Sequence, residues 1–266
     1  MKLQAPKGTK DIFFDEAKTW QFIEDTAKKT FENANFNEIR TPIFETTNLF
    51  ARGVGESTDI VNKEMYTFSM NDRSFTLRPE NTAGVVRAFI QNGFHRKPSP
   101  QKLWYKGPMF RYERPQAGRQ RQFHQIGIEM FGSNSPTADA EVILLALNFI
   151  KNIGLENLEL KLNNIGCPEC RQDFKNNIKE ALKDKLENLC ADCNKRYNLN
   201  PMRLLDCKVE TCQKIYTQEP VNSIINNDFI CDKCTENFDT LKEILEAANV
   251  KYQIDKRLVR GLDYYN

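Results

Sequence analysis

The order of pattern types along the chain predicts an α+β fold built on an antiparallel sheet with flanking helices. A helical periodicity opens the chain, two hairpin patterns follow with helices set among them, and no regular strand–helix alternation of a doubly wound parallel sheet appears. Composition then changes at Cys167: from there to about Val250 the pattern is helical, charged and rich in cysteine. The expected organisation is a core over residues 1–165, a helical cysteine-rich insertion over 166–250, and a return to the core over 251–266.

Taken in order, APKGTKD is a loop, and a helix follows with Asp15 as its expected N-cap. Trp20, Ile23, Ala27 and Phe31 recur at helical spacing on one face up to about Asn33. NFNEIRTPIFE is expected to be a strand that meets Pro42, which cannot donate to a ladder and so marks an edge, a bulge or an interface. Asn48 to Gly55 reads as a short helix or turn. EMYTFSMNDRSFTLRPE gives two strands around an Asn71-Asp72 turn, and NTAGVVRAFIQNG is helical. The central hairpin runs from Leu103 to Gly132, with apolar strands on either side of the polar loop RPQAGRQR. Ser135-Pro136 opens the next helix, with Asp139 and Glu141 suited to its positive end and Gly154 as its stop. Leu158 to Leu162 and Tyr252 to Val259 read as strands.

The chain has 266 residues, 40% hydrophobic and 28% charged, the composition of a folded protein with a sizeable core. A net charge of +2 is too small to argue for nucleic acid by itself, so any RNA contact must come from local patches. No apolar run approaches membrane-spanning length and the start lacks a secretory apolar segment, which predicts a cytoplasmic protein with no membrane partner.

Arg111, Arg114, Arg119 and Arg121 converge on the central hairpin. Guanidinium forks match phosphate oxygens in geometry and charge, so the cluster suggests a phosphate ligand; a solvated basic turn is the plainer reading. All eight cysteines lie between Cys167 and Cys234, spaced Cys167-x-x-Cys170, Cys190-x-x-Cys193, Cys207-x4-Cys212 and Cys231-x-x-Cys234. Each pair is the usual half of a tetrahedral zinc site. Two four-cysteine sites are possible, or one site with thiols left over, or reduced buried cysteines; the spacing does not choose the pairing.

FRYERPQAGRQRQFHQIG resembles the second signature motif of class II aminoacyl-tRNA synthetases, and looks most like the histidyl enzymes. KGTKD, LRPENTAGVVRA and LVRGLDYYN resemble further segments of histidyl-tRNA synthetases in the same chain order. NEIRTPIFE is similar to the first class II motif, which builds a dimer interface.

The resemblance implies activation of L-histidine with ATP and Mg2+, and transfer to tRNA(His). Arg111 and Arg260 are then catalytic, with Arg111 on the α-phosphate and Arg260 reaching the substrate carboxylate and α-phosphate. Arg111, Glu113, Arg119 and Phe123 bind ATP. Glu80, Asn81, Thr82, Gln125, Glu129, Arg260, Tyr264 and Tyr265 bind histidine: Glu80, Thr82 and Gln125 hold its amino end, Glu129 and Tyr265 grip the imidazole, and Tyr264 lies beside the pocket. Asn81 stands where glycine is frequent in the family; if that backbone needs a positive φ, Asn is the least costly replacement. The cysteine-rich stretch, with PMRLLDCK, matches in place the insertion that approaches the tRNA acceptor arm. A structural zinc, or two, is an addition that the family does not require.

The resemblance covers neither the third class II motif nor an anticodon-binding domain within these 266 residues. The expectation is therefore a truncated chain with an incomplete sheet, little activity in isolation, and dimerisation in the longer form. Two other readings are a histidine-sensing regulatory subunit of ATP phosphoribosyltransferase and a zinc-stapled RNA-binding module.

Overall fold

The computed structural model describes residues 3–55, 58, 60–226 and 229–259. The chain divides into two compact units, residues 1–157 and 158–266.

In the first unit the central hairpin is the longest sheet element. Strands β5 (Gln101–Phe110) and β6 (Gln122–Phe131) pair antiparallel over their whole length, from Gln101 opposite Phe131 to Phe110 opposite Gln122. Strict alternation gives the hairpin two faces. Trp104, Ile126, Ile128 and Met130 face one way and pack with Ala27, Phe31, Phe36, Leu145 and Phe149. Ala27 and Phe31 come from α1 (Phe14–Asn33), Leu145 and Phe149 from α4 (Pro136–Asn152), and Phe36 from the turn that follows α1. The other face carries Leu103, Tyr105 and Met109 against Val85, with Phe123 and Phe131 alongside.

Two expectations for this unit need correction. Helix α1 starts at Phe14 with Phe13 at the N-cap and no side-chain cap; Asp15 lies within its first turn instead, where its charge still suits the helix dipole. The single strand expected across Pro42 is two short strands in different sheets. β1 (Asn37–Glu38) pairs parallel with β5, whereas β2 (Phe44–Thr46) joins β4 (Arg73–Leu77) and β3 (Thr67–Met70) in a second sheet of order β2-β4-β3. Pro42 stands at the break, where a missing N–H costs no ladder bond.

The turn between β3 and β4 is as expected: Asn71 and Asp72 have φ of 47° and 61°, the pair of positive values a two-residue hairpin turn requires. Helix α2 (Thr47–Val54) follows β2, and helix α3 (Thr82–Gln91) follows β4. Ser135 caps α4 with its hydroxyl and Pro136 takes the first helical position.

Among the described residues, the regular structure of the second unit is helical apart from one parallel pair, β7 (Leu160–Leu162) with β8 (Tyr252–Ile254). β8 is shorter than expected, because the chain turns at Lys256-Arg257. Between the two strands run α5 (Pro168–Leu182), α6 (Ala191–Leu199), α7 (Glu210–Tyr216), α8 (Val221–Asn226) and α9 (Asp232–Ala247). Ile178, Leu182, Leu204, Tyr216 and Val221 are its buried centre, and Cys193, Cys207 and Cys212 belong to the same cluster. No helix among the described residues is long and apolar enough to cross a membrane.

Candidate active site

The face of the hairpin turned away from α1 and α4 holds the polar residues that the sequence singles out. On β6 the alternation places Phe123, Gln125, Gly127 and Glu129 side by side on that face. Glu80, just ahead of α3, is only 3% exposed. Its carboxylate accepts the N–H groups of Thr82 at 2.7 Å and Ala83 at 3.0 Å, so it caps the first turn of α3 in place of the Asn81 side chain. Thr82 is a hydrogen-bond partner of both Glu80 and Glu129, which draws the three residues into one cluster.

Electrostatics follow from burial. Loss of water pushes the Glu129 carboxyl up to about 7, and the neighbouring Glu80 charge pushes the same way against the Thr82 hydrogen bond. Burial also raises Glu80, opposed by its two N–H donors and by the Arg111 guanidinium. Gln125 adds an unmet acceptor: its Oε1 is buried without a hydrogen-bond partner among the described residues. Two neighbouring carboxyls and an unpaired amide oxygen make a cluster rich in acceptors, suited to a small cationic, N–H-rich ligand.

Arg111 stands at the edge of this cluster. Its Nε donates to the Pro79 carbonyl at 2.9 Å and its guanidinium lies over the Phe123 ring, 5.1 Å from the centroid. Glu113 lies 3.9 Å from Arg111 and 3.3 Å from the exposed Arg119, so the acid links a fixed arginine to a loose one. Arg121 donates to the Glu113 carbonyl and stacks on Tyr112, while its N–H reaches the Gly8 carbonyl at 2.7 Å. That last bond seats the N-terminal KGTKD loop on the hairpin loop.

Sequence reading missed Arg78 and Thr41. Arg78 is 5% exposed and donates to the Pro108 carbonyl and to both the carbonyl and hydroxyl of Thr41. Its own backbone N–H and carbonyl bond Ile43 and Phe110, so one residue ties the β2-β4-β3 sheet to the hairpin. Gly107 makes room for it: a Cβ there would sit 2.5 Å from Arg78 Nη2. Asn81 joins this network, its Oδ1 accepting from the Thr41 hydroxyl at 2.6 Å and from Arg78 at 3.4 Å. Its φ is −119°, so Asn81 is not there for a left-handed backbone; it supplies a buried acceptor. An arginine that holds backbone carbonyls leaves no periodic mark, so only the LRPE context pointed toward Arg78. Arg260, Tyr264 and Tyr265 lie outside the described residues.

In the second unit the eight cysteines are free and gather into two sets, Cys167, Cys170, Cys231 and Cys234, and Cys190, Cys193, Cys207 and Cys212. The sulfurs of each set lie within 4.8 Å of one another, close enough for a single metal ion.

A family model described as histidyl-tRNA synthetase matches residues 8–266. The histidine–tRNA ligase of Desulforamulus reducens is 54% identical over 261 residues, covering 98% of this chain and 61% of that protein. That of Halothermothrix orenii is 52% identical over 266 residues, covering 100% of this chain and 62% of the relative. The chain thus spans about three-fifths of the length of these curated relatives. Among solved structures, apo histidyl-tRNA synthetase from S. aureus superposes with a TM-score of 0.77 at 35% identity, over 99% of this chain and 60% of that one. A Bacillus halodurans ATP phosphoribosyltransferase regulatory subunit/histidyl-tRNA synthetase reaches a TM-score of 0.69 at 19% identity, over 98% of this chain and 70% of that one, and so shares the fold. With a match from Gly8 to the last residue, the chain belongs to the histidyl-tRNA synthetase family.

Proposed function

We propose that the protein carrying this chain is a cytoplasmic histidine–tRNA ligase, which forms histidyl-adenylate from L-histidine and ATP and passes the histidyl group to tRNA(His). The observation that carries this reading is the acceptor-rich cluster of Glu80, Thr82, Glu129 and the unpaired Gln125 beside Arg111. Histidine brings an ammonium group and an imidazole N–H, donors that match these acceptors. Glu80, Thr82 and Gln125 take the ammonium end, and Glu129 takes an imidazole nitrogen. Asn81 positions Thr41 and Arg78 behind them.

In the first step the histidine carboxylate attacks the α-phosphorus of ATP and pyrophosphate leaves with the bonding electrons. The nucleophile is already ionised, so placement and charge neutralisation supply most of the rate. Arg111, held by Pro79 and Phe123, faces the α-phosphate. Arg119 turns from Glu113 to the outer phosphates, and Phe123 and Glu113 border the adenine end. Mg2+ arrives with ATP and neutralises its phosphate oxygens.

The cysteine-rich unit is an insertion that approaches the tRNA acceptor arm; its thiols are structural, since a four-thiolate shell leaves no position open to substrate. Dimerisation is expected on the β2-β4-β3 side, where Ile43, Phe44, Phe68 and Met70 are exposed.

Histidine-dependent exchange of labelled pyrophosphate into ATP, measured on the full-length protein that carries this chain, tests the proposal, with the other amino acids as controls. Exchange with histidine alone supports it. Histidine binding without any exchange supports instead a sensing role like that of the regulatory subunits, which the high identity to ligases disfavours.

A further inference from the structure

We infer that the cysteine-rich unit holds two zinc ions of unequal lability, one in Cys167/Cys170/Cys231/Cys234 and one in Cys190/Cys193/Cys207/Cys212. A tetrahedron of thiolates about 2.3 Å from zinc has sulfur–sulfur edges of about 3.8 Å. Here Cys167 and Cys170 are 3.4 Å apart and Cys190 and Cys207 are 3.9 Å apart. The sulfurs are too close to enclose a cluster of several irons, and soft thiolates without a histidine or an open position favour a closed zinc site.

The surroundings are built for sulfur that carries charge. Cys231 N–H donates to Cys170 Sγ and Cys190 N–H to Cys212 Sγ, both at 3.2 Å, and Val209 N–H donates to Cys207 Sγ at 3.4 Å. The Tyr216 hydroxyl, buried, donates to Cys193 Sγ at 3.2 Å. Cys167, Cys190 and Cys231 each occupy the N-cap of a helix, with the second cysteine of the pair inside its first turn. Gly166 lets the two halves of the first set meet: a Cβ there would sit 2.5 Å from the Cys170 Cβ, and its φ is +75°.

The sets differ in reach and exposure. The first joins residues 61 apart, Cys170 and Cys231, and Cys231 is exposed. The second closes a span of 22 residues between Cys190 and Cys212, and three of its four sulfurs lie in the core cluster. A chelator or mercurial therefore reaches the first ion from solvent, and the second only when the core opens. Neither site depends on the synthetase reading.

The test is metal analysis of this 266-residue chain, purified without chelator, followed by mercurial titration with a colorimetric zinc indicator. The expected result is about two zinc ions per chain, released in two phases of one ion each. Cys231→Ser should hold one zinc and lose the fast phase, whereas Cys193→Ser should hold one zinc and lose the slow phase. If Cys193→Ser does not fold, cobalt replacement in the wild-type chain decides, since two equivalents should each give thiolate-to-cobalt charge transfer and tetrahedral visible bands. A folded metal-free chain, a single ion, bound iron, or release in one phase would overturn the inference.

Discussion

The two units of the chain hold polar groups in place by different means. In the first, a hairpin of two ten-residue strands is paired along its whole length and backed by Phe31, Phe36 and Phe149 against Trp104, so its front face is set by packing. In the second, α6, α7 and α8 have 9, 7 and 6 residues. These are below the roughly 12–15 residues at which an isolated helix begins to hold in water. Its core is partly made of cysteine, which buries little apolar surface. Packing alone can thus fix hydrogen-bond geometry on the sheet, whereas the helical unit gathers eight thiols where its short helices and small core leave stability to be supplied.

The largest expected effect separates the units outright. Metal removal under reducing conditions takes away a contribution on the order of 10 kcal/mol per structural zinc. Far-UV helicity should then fall while the emission of the two tryptophans, Trp20 and Trp104, both in the first unit, stays unchanged. Conversely, Trp104→Ala should cost about 3–5 kcal/mol in denaturant unfolding of the first unit and leave zinc content unaltered. Arg111→Gln should slow pyrophosphate exchange by about 100-fold or more, chiefly in kcat, without lowering the melting temperature of either unit much.

Glu129 yields a pH test. Its carboxyl is raised from the ordinary value of 4.5 to about 7, so the native state holds a proton that the unfolded chain has released. Stability should be fullest below pH 4.5 and decline as pH rises through 7, by up to about 3 kcal/mol. Glu129→Gln should flatten that window in unfolding curves recorded between these pH values. Smallest, Asn81→Ala should cost about 1–2 kcal/mol through the acceptor lost to Thr41 and Arg78. Asn81→Gly should be no better than Ala, because the backbone there already has a negative φ.

Local patterns were legible in the sequence. The Asn71-Asp72 turn, the central hairpin, the helix start at Ser135-Pro136 and the helical cysteine-rich stretch each leave a mark in local sequence, and all appear. Long-range partners were not. β1 leaves its neighbour β2 to pair in parallel with a strand some 65 residues away, which alternation cannot signal. The cysteine pairing joins Cys170 to Cys231 across most of the unit, so spacing alone left it open. At the site, the motif residues Glu80, Glu129, Gln125 and Arg111 were named from the sequence. Arg78 and Thr41, which fix them from behind, were not, because a buried arginine that bonds carbonyls has no pattern of its own.

Hydrogen–deuterium exchange of the wild-type chain, alone, with chelator, and with histidine plus Mg-ATP, tests the division most directly. Chelator should deprotect residues 166–250 and leave β5 and β6 protected, while the substrates should slow exchange in residues 80–84 and 111–131. Loss of protection in both units on chelation, or substrates that leave those two segments unchanged, would contradict it.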